Sequence, residues 1–251
     1  MSSASTNNII LSLRDVIGGY GQMTILNGTT FDIKRGTITT VIGPNGAGKS
    51  TVFKAIFGLV KVRSGSIALD GVDIANWSQR KLLEAGVCYV PQGRNIFAEL
   101  SVRHNIELGA VAAGPDITDM DQRIEAALDR FPALRKKADR QASTLSGGEQ
   151  KQLEIVRGLL LDPKLVLIDE PSIGLSPLMV QETFGILRDL RARGVTILMV
   201  EQNARSALEI SDEGIVLELG QTRMHGRAHD LLHDPRVGQL FLGGAMAADA
   251  A

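Results

Sequence analysis

The chain has 251 residues, 44% of them hydrophobic and 22% charged, with a formal net charge of −1. That is room for one large α/β domain or two small ones, without the basic excess that marks a nucleic-acid partner. One cysteine, Cys88, excludes an internal disulfide and fits a reducing cytosol, and no apolar run approaches the ~18 residues of a membrane-spanning helix.

Residues 1–8 are rich in Ser and Asn, lack the basic and apolar regions of a signal peptide, and are expected to form a disordered tail. Strands are expected over 9–16 and 25–33, broken by Gly18-Gly19-Tyr20-Gly21. Tyr20 either offers its ring to a purine face or covers the sheet as an ordinary hairpin tyrosine.

A β-branched run at 39–42 leads into Gly43-Pro44-Asn45-Gly46-Ala47-Gly48-Lys49-Ser50-Thr51, followed by a helical pattern to 58 with Val52, Phe53, Ile56 and Phe57 on its apolar face. Strand, glycine-rich loop and helix in this order predict a phosphate-binding loop. The glycines let successive N–H groups converge on one centre, and the helix adds the positive end of its dipole. Lys49 would reach the β- and γ-phosphates of a nucleotide, and the Ser50 hydroxyl would ligate Mg²⁺.

Segments 66–69 and 72–74 flank Asp70-Gly71 as a hairpin. Ser78 caps a short helix that ends at Gly86, and a buried strand over 87–90 stops at Pro91. From Gln92 to about Leu160 strand signals vanish. Ser101 caps a helix over 102–111, a loop is expected at 112–115, and Met120, Ile124, Leu128 and Phe131 mark an amphipathic helix stopped by Pro132. The basic run Arg135, Lys136, Lys137 and Arg140 is expected to be a solvated face. This stretch reads as a helical subdomain inserted into an α/β core.

Leu145-Ser146-Gly147-Gly148-Glu149-Gln150 opens a helix expected over 151–161. Ser146 and Glu149 have capping-box spacing. Capping leaves the two glycines unexplained; each costs about 1 kcal/mol inside a helix yet permits close approach of an anion. An apolar strand over 165–168 ends in Asp169-Glu170-Pro171. In a phosphate-loop protein a carboxylate there is expected beside Mg²⁺, and Glu170 is placed to polarise a water at the γ-phosphate.

Ser176-Pro177 begins a helix with Val180, Phe184 and Leu187 facing inward, stopped at Gly194. A buried strand over 195–200 ends in Glu201-Gln202-Asn203, and a hairpin through Gly220 joins 215–218 to 222–225. His225, His229 and His233 recur every four residues, but Gly226 breaks a shared helix face and nothing completes a metal set, so no such site is expected. Residues 243–251 are expected to be a flexible tail.

Four motifs now stand in order, and together they resemble the ATP-binding cassette (ABC) ATPases. LSGGEQ ahead of LVLIDEP is far more specific than the phosphate loop alone. The resemblance runs from residue 9 to about 244. It implies an α/β fold: a P-loop (RecA-like) ATPase core with an N-terminal antiparallel β subdomain and an inserted helical subdomain. The implied ATPase domain is 9–242, with 9–91 and 161–242 as α/β core and β subdomain and 92–160 as the helical part. ATP and Mg²⁺ are the implied ligands. By resemblance Tyr20 stacks on adenine, and Asn45, Gly46, Ala47, Gly48, Lys49, Ser50 and Thr51 hold the phosphates. Gln92 touches Mg²⁺ and the attacking water, Asp169 binds Mg²⁺, and Glu170 is the catalytic glutamate. Ser146, Gly147 and Gly148 bind the γ-phosphate held by an opposite subunit.

Two positions depart from the general family pattern. Ser176 replaces an aspartate and keeps its capping ability. Gln202 replaces the switch histidine; an amide can donate to a phosphate but cannot relay a proton. VPQGRNIF, SIGLSP, VEQNARSAL and the late FLGG resemble the second ATPase subunit of branched-chain amino-acid importers, with urea and short-amide importers close behind. The implied partners are a second cassette (as hetero- or homodimer), integral membrane permease subunits and, indirectly, a periplasmic or extracellular solute-binding protein, at the cytoplasmic face of the membrane. No nucleic acid is among them. A nucleic-acid mechanoenzyme built on the same cassette and a non-hydrolysing ATP-binding regulatory module are the competing readings.

Overall fold

The computed structural model of the chain describes residues 8–93, 95–111 and 119–241. Of the expected tails, residues 1–7 and 243–251 lie outside the described residues, as does the loop expected at 112–115. Strands β1 (Ile9–Gly19), β2 (Leu26–Lys34) and β3 (Ile38–Ile42) precede helix α1 (Lys49–Ile56). The strands β4 (Lys61–Leu69) and β5 (Val72–Asp73), helix α2 (Gln79–Glu84) and strand β6 (Val87–Val90) come next. Helices α3 (Val102–Val111), α4 (Met120–Arg130), α5 (Pro132–Arg135) and α6 (Gly147–Leu159) then follow one another. Strand and helix alternate through β7 (Leu165–Asp169), α7 (Pro177–Ala192), β8 (Thr196–Val200) and α8 (Ala204–Ile210). A hairpin of β9 (Glu213–Glu218) and β10 (Gln221–Arg227) leads to α9 (Ala228–Leu232) and α10 (Pro235–Phe241).

The strands sort into two sheets. One is antiparallel in the order β2-β1-β4-β5; the other runs β10-β9-β3-β8-β7-β6, parallel except for its β10 edge. β3, β7 and β8 are buried at every position, which is why they read as unbroken apolar or β-branched runs. Alternate residues of β7 serve different cores. Leu165 and Leu167 join α1 and the antiparallel sheet, whereas Val166 and Ile168 join α3 to α7. The helices between β6 and β7 thus share one apolar cluster with a face of the parallel sheet, each fully buried Leu, Ile or Phe contributing roughly 1.5–3 kcal/mol.

Several elements differ from the sequence expectation. β1 continues through Gly18 and Gly19, and β4 starts at Lys61. Pro132 does more than stop α4: it is the first residue of α5, where its missing N–H costs nothing. The signature helix α6 starts at Gly147, four residues early, because Ser146 and Glu149 form the reciprocal capping box. The basic run is not a plain solvated face. Arg135 pairs with Glu125 and Asp129, and Lys137 pairs with Glu149. α8, α9 and α10 had no sequence signal, being too short for a periodic pattern.

Candidate active site

The carboxyl ends of β3, β6, β7 and β8 reach one edge of the parallel sheet, since the register pairs Val90 with Ile168, Asp169 with Val200 and Val41 with Val200. Open α/β sheets bind ligands in this crevice. The phosphate-loop segment leaves β3 at Gly43, where a side-chain carbon would lie 2.1 Å from the Leu217 carbonyl oxygen; only glycine passes there. Gly48 ends the loop in the left-handed region (φ 98) as the N-cap of α1. No side chain caps that helix, so the amides of its first turn are left to an anion. Asn45 and Gly46 are exposed, whereas Ala47, Gly48, Lys49 and Thr51 are buried. Lys49 Nζ donates to the carbonyl oxygens of Gly43 and Pro44 at 2.8 and 3.0 Å. An ammonium has three donors, which leaves one for a phosphate oxygen.

Across the crevice, Ser50 Oγ donates to Asp169 Oδ1 at 3.1 Å. These are hard oxygen donors of the kind that Mg²⁺ takes. Gln92 Nε2 donates to Glu170 Oε2 at 2.8 Å. Glu170 adopts a left-handed backbone (φ 49) and its N–H bonds the Val200 carbonyl at 2.9 Å. Such a conformation costs a non-glycine residue on the order of 1–3 kcal/mol and persists where neighbouring structure enforces it.

The charges press on one another. Burial pushes the Asp169 carboxyl up, against hydrogen bonds from Ser50 and Tyr89 and the charges of Lys54 and Lys49. Burial and then the Asp169 charge push Glu170 up, with Lys49 opposing. Burial pushes the Lys49 ammonium down, while Glu170 and Asp169 hold it up. Two carboxyls raised side by side favour a cation or a proton arriving between them.

Tyr20 stands in the turn after β1, 47% exposed, with Lys54 Nζ of α1 5.9 Å from its ring centre. Gln202 is exposed at the end of β8. Ser146, Gly147 and Gly148 are engaged elsewhere. Ser146 caps α6, Gly147 lies against Leu175, and a side-chain carbon on Gly148 would meet Met179 at 3.0 Å. Among the described residues no hydrogen bond joins 145–148 to 43–51. The structure therefore brings the loop, Gln92, Asp169 and Glu170 together by hydrogen bonds, and among the described residues it ties the signature to Leu175, Met179 and Lys137 in place of the loop.

Three residues that hold the site or the signature helix were given no site role in the sequence reading. Tyr89 on β6 donates its hydroxyl to Asp169 Oδ2 at 3.2 Å, and burial pushes its phenol up, helped by the Asp169 charge. Glu201, 1% exposed, accepts the Ser172 N–H and hydroxyl at 2.8 Å each, tying the loop after Glu170 to the end of β8. Lys137 grips Glu149 of the capping box. The available signal was a lone polar group ending an apolar strand, which applies to Glu201; nothing local singled out Tyr89 or Lys137. His225, His229 and His233 lie on β10, on α9 and at the end of α9.

The ABC transporter family matches residues 26–173. The high-affinity branched-chain amino acid transport ATP-binding protein BraG of Pseudomonas aeruginosa is 39% identical over 94% of this chain and 100% of its own length. The probable branched-chain amino acid transport ATP-binding protein LivF of Archaeoglobus fulgidus is 40% identical over 90% of this chain and 95% of its own. The lipopolysaccharide export system ATP-binding protein LptB of Haemophilus influenzae also aligns, at 30% over 93% and 97%. An ATP-binding cassette of an ABC transporter, solved in its ADP conformation, superposes with a TM-score of 0.87 at 29% identity, covering 94% of this chain and 99% of that one. No helix among the described residues is long and apolar enough to cross a membrane. With a phosphate loop, a strand-end Asp-Glu and the signature helix in one chain that these cassettes match nearly end to end, the protein belongs to the ABC transporter family as an ATP-binding, ATP-hydrolysing subunit.

Proposed function

We propose that the chain powers an importer of branched-chain amino acids from the cytoplasmic face of the membrane, paired with a second cassette and with integral permease subunits. The observation that carries the reading is the pair of contacts Ser50–Asp169 and Gln92–Glu170 across the mouth of the phosphate loop. The near end-to-end similarity to BraG supports the cargo. Residues 9–242 act as one ATPase domain, with 92–160 as its helical arm.

In this reading Tyr20 stacks on the adenine, and the amides of 45–51 with Lys49 hold the phosphates. Ser50 and Asp169, with Gln92 nearby, would hold Mg²⁺, which neutralises charge on the phosphate oxygens. Glu170 orients a water and takes its proton as the water oxygen bonds the γ-phosphorus. The bond from that phosphorus to the bridging oxygen breaks, releasing ADP and phosphate. A carboxyl raised by burial is a better base than an ordinary glutamate, and the Gln92 amide holds its orientation. Gln202 donates to the γ-phosphate without relaying a proton. Ser146, Gly147 and Gly148, at the N-terminus of α6, face the γ-phosphate of a second chain. Hydrolysis then requires two cassettes.

The test measures ATPase rate per chain against protein concentration, then with the co-purifying cassette and permease, and follows uptake of labelled leucine and urea in vesicles. The expected result is a slow isolated chain, a rate that rises with concentration and partners, and leucine uptake. A fast rate, indifferent to both concentration and partners, overturns the composite site; uptake of urea in place of leucine overturns the cargo.

A further inference from the structure

Both backbone groups of Asn95, three residues after Gln92, are held by side chains of α6. Glu154 Oε1 accepts the Asn95 N–H at 2.6 Å, and Arg157 donates to the carbonyl oxygen of the same residue. Both backbone groups of Asn95 are thus taken by one face of the signature helix. Lys151, one turn earlier on that face, donates to Glu154 Oε2 at 2.5 Å and reaches the Gly93 carbonyl oxygen at 3.4 Å. The Lys151 and Glu154 side chains are only 7% and 4% exposed. Next along the chain, Phe97 is fixed from α3: Asn105, fully buried, accepts its N–H at 2.8 Å and donates to its carbonyl at 2.9 Å.

A buried ion pair is a poor device for stability alone, since apolar residues of similar volume often serve as well or better. What an apolar pair cannot do is accept a backbone N–H and donate to a backbone carbonyl. Gln92, with its amide on Glu170, lies at one end of the held segment. Ser146 to Gly148 lie at the head of α6, roughly 10 Å along the helix from Glu154.

We propose that Lys151, Glu154 and Arg157 are positioning residues that clamp the Gln92 segment to the signature helix. A shift of α6 caused by nucleotide on a second chain then moves Gln92, and with it the orientation of Glu170, on this one. The inference rests on the roles proposed above for Gln92, Glu170 and the signature. It adds the parts that join them.

The test uses the full chain at a concentration where the wild-type rate per chain has reached its plateau. The double substitution Lys151→Met/Glu154→Leu removes both charges together and leaves neither unpaired. It also takes the acceptor from the Asn95 N–H, so it is expected to stay folded, to melt a few degrees below the wild-type temperature and to keep the wild-type KM for MgATP. Its kcat falls by about tenfold to a hundredfold, the scale that misplacing a catalytic group costs. Lys151→Met/Glu154→Gln also leaves no ammonium unpaired, keeps an oxygen for the Asn95 N–H and is expected to retain the wild-type kcat. A Lys151→Met/Glu154→Leu protein with wild-type kcat, or a Lys151→Met/Glu154→Gln protein that loses as much, overturns the clamp. Hydrogen exchange on the wild-type chain needs no variant: the Asn95 amide exchanges as slowly as the amides of α6, and exchange at open-loop rates overturns the clamp. Failure of the underlying roles looks different. Glu170→Gln would then hydrolyse ATP like wild type while the Asn95 amide stayed protected.

Discussion

Lys137 Nζ lies 2.6 and 2.8 Å from the two carboxylate oxygens of Glu149, and one of those oxygens also accepts the Ser146 N–H at 2.8 Å. A residue from the basic run thereby steadies the capping box that opens the signature helix. Burial pushes the Glu149 carboxyl up, but the hydrogen bonds from Lys137 and Ser146 outweigh it and hold the group below the ordinary glutamate range. A depressed carboxyl contributes stability that is fully present above its unfolded value, about 4.3, and lost as pH falls through the folded value. Lys137→Met is expected to cost about 1 kcal/mol at neutral pH, lowering Tm by roughly 2–4 °C. The loss shrinks once acid has protonated Glu149. Calorimetry at neutral pH and through an acid series well below the ordinary glutamate value checks both; equal Tm values for the two proteins at neutral pH would refute the link.

Lys49→Ala and Glu170→Gln should fail in opposite ways. Removing the ammonium is expected to weaken MgATP binding by about tenfold to a hundredfold, the worth of a charged hydrogen bond. Glu170→Gln keeps the affinity and lowers turnover by about 10²–10⁴, the contribution of a general base. Titration calorimetry and phosphate release separate the two.

Gln202→His restores the imidazole that the general family pattern carries at the end of β8. If the amide limits hydrolysis, the substitution raises the ATPase rate in the chain alone and in the assembled transporter. A rate unchanged in both places the limit elsewhere.

Cys88 lies under Gly158 of α6, and burial pushes its thiol up to about 12, against the pull of Arg157. At neutral pH the native protein is expected to resist alkylation, because the thiolate is the reactive form. The denatured chain is expected to react at the rate of a free thiol. Prompt labelling of native protein with iodoacetamide would contradict the burial.

Residues 39–58 carried the phosphate loop in full. A strand, a glycine-rich turn and a helix that adjoin in the chain need only local dihedral and capping chemistry, and β3, Gly48 and α1 follow from it. The same locality made the Ser146–Glu149 capping box and the strand-end Asp169-Glu170 legible. The family motifs added their order, and with it the fold. What the chain alone could not state is who meets whom across the sheet. Gln92 reaches Glu170 across a separation of 78 residues, and Tyr89 reaches Asp169 across 80, only because β6 pairs with β7 in one parallel register. Lys137 meets Glu149, and Glu154 meets Asn95, because α5 and α3 pack on α6. A buried polar side chain takes its partner from whatever the packing brings near, and no periodicity in the sequence records that choice.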